Sequence, residues 1–282
     1  MISIVLHAVS IIALVLASLF DMKTREVPDF ISYSLIAVAF AVRVFATVFF
    51  LDMIYLYEGL LGFGVGYVLA KALYYAGQWG GGDAKILMGI GAALGVPFVW
   101  SIPLFAYFFV LMLVFGAVFG MGYSVYLFIK FHKACKKYIA KTFSLLKYYY
   151  IILWVLCIVV LVAMSFASRL TLFLTSVLVI MLLLVAHLWI VIKAVETCAL
   201  VKEIPPEKLT EGDWIAEDVK VNGKLEYSSK SLGIEKKDIA RLIALAEKHK
   251  HFMVKVKDGM AFLPSFLFGY IVLVVLLVIG LV

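Results

Sequence analysis

Long apolar runs separated by short polar breaks dominate the chain. Runs of about 18 residues or more can cross a bilayer as helices. Such runs, with one shorter one at 84–99, fall at residues 2–20, 30–51, 59–77, 84–99, 100–129, 148–166, 170–193 and 264–282. The pattern therefore predicts about eight transmembrane helices. The fourth run is short and the fifth long, so the turn around "GVPFVWSIP" is the least defined boundary. Residues 194–262 break the pattern. There "DWIAEDVKV" and "KLEYSS" flank an Asn222-Gly223 turn and predict a hairpin. "GIEKKDIARLIALAEKHK" has helical periodicity, and "HFMVKV" alternates like a strand. A block this small is expected to lean on the membrane part.

Composition sharpens this picture. Of 282 residues, 65% are hydrophobic and 15% charged, against about 25% charged in an average soluble domain. The mean hydropathy is +1.10. The net charge of +7 would suggest nucleic acid if it were spread over a soluble surface, but most of the charges flank apolar runs and read as topology signals. Alternating sides from run to run puts "DMKTREVPD", "QWGGGDAK", "KFHKACKKYIAK" and residues 194–262 on one face. Arg169 is the one lysine or arginine in the opposite loops, so the positive-inside rule makes the first face cytoplasmic and places both termini outside. The first run lacks a basic n-region and a small-residue cleavage site, and it is expected to be a retained helix. Lysines from Lys130 to Lys147 suit anionic lipid headgroups, or alternatively an assembly partner.

The fold class expected is thus a polytopic α-helical membrane protein with a small cytoplasmic α+β domain. Its divisions are a core at 1–130, a basic loop with two further helices at 131–193, the small domain at 194–262 and a last helix at 263–282. Cys135, Cys157 and Cys198 form no C-x-x-C pair and read as isolated thiols. Glycines four residues apart, Gly62 with Gly66, Gly91 with Gly95 and Gly116 with Gly120, predict close helix packing.

Two aspartates stand out. Asp21 ends the first run in "ASLFDMKTREVPDF", and Asp83 opens the fourth in "GGGDAKIL". Both fall at the cytoplasmic ends of their helices, where they could meet. Alone, either would read as a solvated helix terminus. The company of Asp83 is unusual, however: Gly80, Gly81 and Gly82 weaken a helix and leave backbone open to an extended peptide. Two carboxylates held together tend to share one proton. Such a pair can hydrolyse a peptide bond, one member taking a proton from water while the other polarises the carbonyl. That chemistry needs no metal or cofactor. Neither a G-x-S-x-G elbow nor an H-E-x-x-H helix is present as a competing set.

Asp21 with the following "TREVP", and Gly80, Gly82, Asp83 and Lys85 in the order G-x-G-D-x-K, resemble the G-x-G-D intramembrane aspartyl proteases. More narrowly, they resemble the prepilin peptidases and archaeal preflagellin peptidases. The resemblance covers about the first 100 residues, and the closing "KVKDGMAFLPSFLFGY" is also similar to the archaeal branch. It implies that Asp21 and Asp83 form a catalytic dyad that removes a short basic leader from a prepilin-like or archaellin precursor. The C-x-x-C motifs and N-terminal methyltransferase region of the bacterial bifunctional enzymes are lacking here, so methylation is not expected. Presenilin-like relatives carry a Tyr-Asp motif and a P-A-L motif that do not stand here. Residues 148–193 add two helices to the six-helix archaeal form.

Lys85 reads either as a partner of Asp83 or as a lysine that snorkels to the interface. Asp29 reads as the N-cap of the second helix, with binding of the leader's positive charge as the alternative; Glu26 is a further candidate for that binding. Arg43, deep in the second run, calls for a structural partner, and His7 and His187 read as packed or hydrogen-bonded groups. Two other functions fit the same residues. One is a transporter or channel with Arg43, Lys71, Asp21 and Asp83 along a polar path. The other is an inactive relative that binds precursors through residues 194–262.

Overall fold

The computed structural model describes residues 2–98, 102–221, 224–229, 233–246 and 252–282. These form two compact units, Met1–Met121 with Gly259–Val282, and Gly122–Asp258. The first unit holds α1 (Ile2–Thr24), α2 (Asp29–Phe50), α3 (Ile54–Tyr75), α4 (Gly81–Leu94), the larger part of α5 (Leu104–Lys130), and α9 (Leu263–Val278). The second holds the end of α5, then α6 (His132–Ser165), α7 (Arg169–Val195) and a small mixed domain. The protein is a multi-pass membrane protein. Among the described residues six helices, α1, α2, α3, α5, α6 and α7, are long and apolar enough to span.

The expected count of about eight spans is therefore not met by length. The fourth and last runs do form helices, but α4 has 14 residues and α9 has 16. At ~1.5 Å per residue they reach roughly 21 and 24 Å, short of a hydrocarbon core of about 30 Å. What stops α4 is Gly95, which adopts φ +71° just before Val96 and Pro97. Of the "GVPFVWSIP" turn, residues 99–101 lie outside the described residues.

The first unit is built by close approach. A Cβ on Gly62 of α3 would lie 2.1 Å from the Gly91 carbonyl of α4, and one on Gly91 would lie 2.3 Å from the Gly62 carbonyl. Gly66 meets the Leu87 carbonyl in the same way, at 3.1 Å. The spacing read from the sequence thus marks a real backbone-to-backbone seam, as small residues permit in membranes. Gly116 instead accommodates the ring of Phe262, and Gly120 the Met260 methyl. Gly269 of α9 sits against the backbone of Met112 in α5. Around these contacts Leu14, Leu35, Leu87, Phe108, Phe266 and Tyr270 form a single buried core.

In the second unit α6 and α7 pack on each other, with the Tyr150 hydroxyl donating to the Ala186 carbonyl at 2.8 Å. The lysine-rich stretch expected as a loop is helical from His132 onward, broken from α5 only at Phe131. Its lysines alternate with Cys135, Tyr138 and Ile139, whose side chains join the cluster around Ala194 and Val195. That apolar spacing is helical, and it was masked in the sequence by the density of charge. Cys135 and Cys198 share this cluster without a disulfide.

The small domain has the antiparallel sheet order β1-β5-β2 from β1 (Val201–Ile204), β2 (Trp214–Ile215) and β5 (Val254–Lys257). A separate hairpin pairs β3 (Val219–Val221) with β4 (Lys224–Tyr227). The hairpin stands where expected, although its Asn222-Gly223 turn lies outside the described residues. Trp214 and Ile215, read as part of the same strand, pair with β5 instead. The helix α8 (Lys236–Ala246) buries Leu242 against Val254, Val256 and Ile215. The sheet is tied to the end of α7 through Glu196, which accepts from both Lys193 and Lys257.

The α3–α4 seam generates a first prediction. Gly62→Ala forces backbone apart and should cost about 1–3 kcal/mol, lowering the thermal unfolding midpoint in detergent. Gly64→Ala, which points into open space, should leave the midpoint in place.

Candidate active site

Asp21 is the last buried residue of α1 and only 6% exposed. Its Oδ2 accepts the backbone N–H of Leu263 at 3.0 Å. Leu263 is the first residue of α9, with Pro264 next in the first turn, so the carboxylate takes one of the free N–H groups of a helix N-terminus. Proline fits there because the missing N–H is not needed. This partner, 242 residues away, was not read from the sequence. The visible signal was the Leu-Pro-Ser opening of the last apolar run.

Asp83 occupies the third position of α4 and reaches back with Oδ2 to the N–H of Gly80, at 3.2 Å. A carboxylate at this position closes a helix N-terminus. The helix α1 packs against α4, and Asp83 lies close enough to Asp21 for their charges to interact. The two aspartates marked in the sequence are thus brought together, each bonded to backbone amides at a helix N-terminus.

The three glycines differ. A Cβ on Gly81 would meet nothing within 4 Å, and one on Gly80 only the carboxylate of Asp83 at 3.7 Å. On Gly82 it would fall 2.8 Å from the Cβ of Val27. The α1–α2 linker, which ends α1 with Arg25 at φ 61°, therefore already fills the space above Gly82.

The polar residues near the pair also resolve. Lys85 does not reach Asp83: its Nζ is 2.5 Å from Asp29 Oδ1 and 5.2 Å from the centre of the Tyr33 ring. Asp29 is not the N-cap of α2. Pro28 holds that position and Asp29 begins the helix, its carboxylate turned to Lys85. Glu26 is exposed on the linker, where its carbonyl accepts from the Thr24 hydroxyl.

At the far end of α4, Arg43 supplies what the sequence could only demand, a structural partner. Its Nε donates to the Ala92 carbonyl at 2.6 Å, Nη2 to Ala93 at 2.9 Å and Nη1 to Tyr55 at 2.7 Å. Gly59 and Gly95 leave room for the Arg43 side chain; a Cβ on Gly59 would lie 2.2 Å from its Cδ and one on Gly95 2.4 Å from its Nη2. These bonds take Arg43 out of the polar path on which the transporter alternative depends. Lys71 is likewise held over the rings of Tyr67 and Tyr75. His7 bonds the Tyr270 hydroxyl at 2.9 Å, and His187 the Leu183 carbonyl.

Fold and site together define a multi-pass membrane protein with two interacting carboxylates at helix ends. Residues 8–129 match the type IV leader peptidase family, and the resemblance seen in the motifs holds over this stretch. The chain is similar to a preflagellin peptidase of Methanocaldococcus jannaschii, 33% identical over 86 residues, which is 30% of this chain and 36% of that relative. It is also similar to a preflagellin peptidase of Methanococcus maripaludis, 29% identical over 86 residues, or 30% of this chain and 37% of the relative. The matched stretch thus spans little more than a third of either curated relative. No solved structure matches the chain.

Two stability outcomes follow from this geometry. Arg43→Met strips two buried carbonyls and a part-buried one of their donor and should cost about 3 kcal/mol or more. Arg43→Lys should recover only part of that, since an ammonium lacks the planar fork. Gly82→Ala should lower the unfolding midpoint by pressing on Val27, whereas Gly81→Ala should not. Thermal unfolding of the four purified variants checks all of these.

Proposed function

We propose that this protein is an aspartic endopeptidase that removes the short basic leader from prepilin-like or preflagellin precursors, with Asp21 and Asp83 as its dyad. The observation that carries the reading is the convergence of these two carboxylates, which the sequence separates by a span, a loop and a further span. The family match over 8–129 supports the class of substrate. No metal or cofactor enters the reaction. By the positive-inside reasoning the site lies at the cytoplasmic face of the cell membrane, where a basic leader remains while the precursor's apolar segment is in the bilayer.

Two carboxylates so placed cannot both ionise at low cost, so at working pH the pair holds one proton. The ionised member takes a proton from a water molecule as its oxygen attacks the scissile carbonyl carbon. The protonated member donates to the carbonyl oxygen and stabilises the charge that develops there. Collapse of the tetrahedral intermediate breaks the C–N bond, and a proton passes from the dyad to the leaving amine. The open face at Gly81 is where we place the extended substrate backbone, beside Gly80; Gly82 serves the packing of Val27. No methyl transfer is assigned to the chain.

The test is leader cleavage by the detergent-purified protein on a precursor with a basic leader. Asp21→Asn and Asp83→Asn should each reduce the rate by roughly 10²- to 10⁴-fold, the range lost with a general acid or base. The parent should show a bell-shaped pH profile, losing activity as the pair becomes doubly protonated at low pH and doubly ionised at high pH. Undiminished cleavage by both variants would sink the dyad assignment.

A further inference from the structure

The pair formed by Lys85 and Asp29 lies beside the candidate dyad. Asp29 and Tyr33 stand four residues apart on α2 and so share one face of the helix. Between them they offer a carboxylate and the face of an aromatic ring, a combination that recognises an ammonium or guanidinium group. The chain's own Lys85 fills this place, at 2.5 Å from the carboxylate and 5.2 Å from the ring centre. The place is open to solvent. The Asp29 side chain keeps 63% of its exposure, that of Lys85 29%, and Tyr33 55%.

Its position matters as much as its chemistry. Lys85 follows Asp83 by two residues on α4, and Val27, which lies on Gly82, precedes Asp29 by two. The cation site and the dyad are thus carried on the same two segments of chain. Exposed ion pairs are weak, and a competing cation exchanges with them readily.

We infer that the Asp29–Tyr33 site receives a basic side chain of the substrate's leader, and that Lys85 is its intramolecular stand-in, displaced when the leader binds. This rests on the peptidase reading above. Asp29 then contributes to substrate binding, while Lys85 competes against it. Loss of the two residues therefore has opposite effects on KM. A simple latch joining α2 to α4 predicts the same direction for both, since either loss breaks the same bond.

The experiment measures KM and kcat for the full chain in detergent on two precursors, one with a basic leader and one with its leader lysines and arginines replaced by glutamine. Asp29→Asn should raise KM for the basic leader by roughly two- to fivefold, the span of an exposed ion pair, and leave the glutamine leader unaffected. Lys85→Met should lower KM for the basic leader by a similar factor, again with no change for the other. Shifts in the same direction, or equal shifts with both leaders, overturn the inference. The combined variant Asp29→Lys with Lys85→Asp retains an ion pair between the helices and covers the case in which a single variant fails to fold. It should discriminate against the basic leader, and recovery of the parental KM would overturn the inference. Failure of the parent to cleave either precursor, or cleavage that survives Asp21→Asn and Asp83→Asn, overturns the peptidase reading and this inference with it. Cleavage abolished by those two changes, with same-direction shifts at positions 29 and 85, overturns this inference alone.

Discussion

The short helix α4 sets the constraint on which the first unit depends. Its 14 residues cannot cross a hydrocarbon core, so at least one of its ends must find partners for free backbone groups without relying on bulk water. Arg43 meets that need at the C-terminal end, by donating to the carbonyls of Ala92 and Ala93. Asp83 meets it at the N-terminal end, by accepting from Gly80. A cation at the last turn and an anion at the first also match the helix dipole. The seam of Gly62 and Gly91 then holds α4 against α3 so closely that neither helix can slide without separating backbone from backbone. The depth and rotation of Asp83 follow from these contacts.

The same logic places Asp21 from the other side. The helix α9 is also short, and its first N–H groups need an acceptor; Asp21 gives one to Leu263. Farther along the same pair of helices, His7 and Tyr270 join α1 to α9 again. The chain's last helix therefore fixes a carboxylate near its beginning. Both members of the candidate dyad thus bond the backbone N–H groups of a helix N-terminus. The N-terminal dipoles favour negative charge on each, while their proximity opposes charge on both.

What could be read along the chain was whatever depends on local spacing. The apolar runs located the membrane helices, apart from the charged first half of α6 that was expected as a loop, and the four-residue glycine spacing marked the seam before its partner surface was visible. The aspartates were legible because each carries its own local context, a run's end for Asp21 and three glycines for Asp83. Partnerships across distance were not. Arg43 announced only that it needed acceptors, since carbonyls are present on every residue and nothing in the side chains near Ala92 distinguishes them. Lys85 reads in sequence either toward its neighbour Asp83 or toward the interface. On a helix, though, residues two apart point in different directions, and α2 offered Asp29 instead.

The glycines show where local reading stops. "QWGGGDAK" looks like one open stretch of backbone, and in sequence its three glycines are equivalent. In space Gly81 is open, while Gly82 is covered by Val27 from a linker more than 50 residues earlier. Absence of a side chain has two physical uses, admission of a ligand and admission of the chain's own neighbour, and only the packed structure separates them. Gly82 belongs to the second use, which joins the linker carrying Glu26 and Val27 to the helix carrying Asp83.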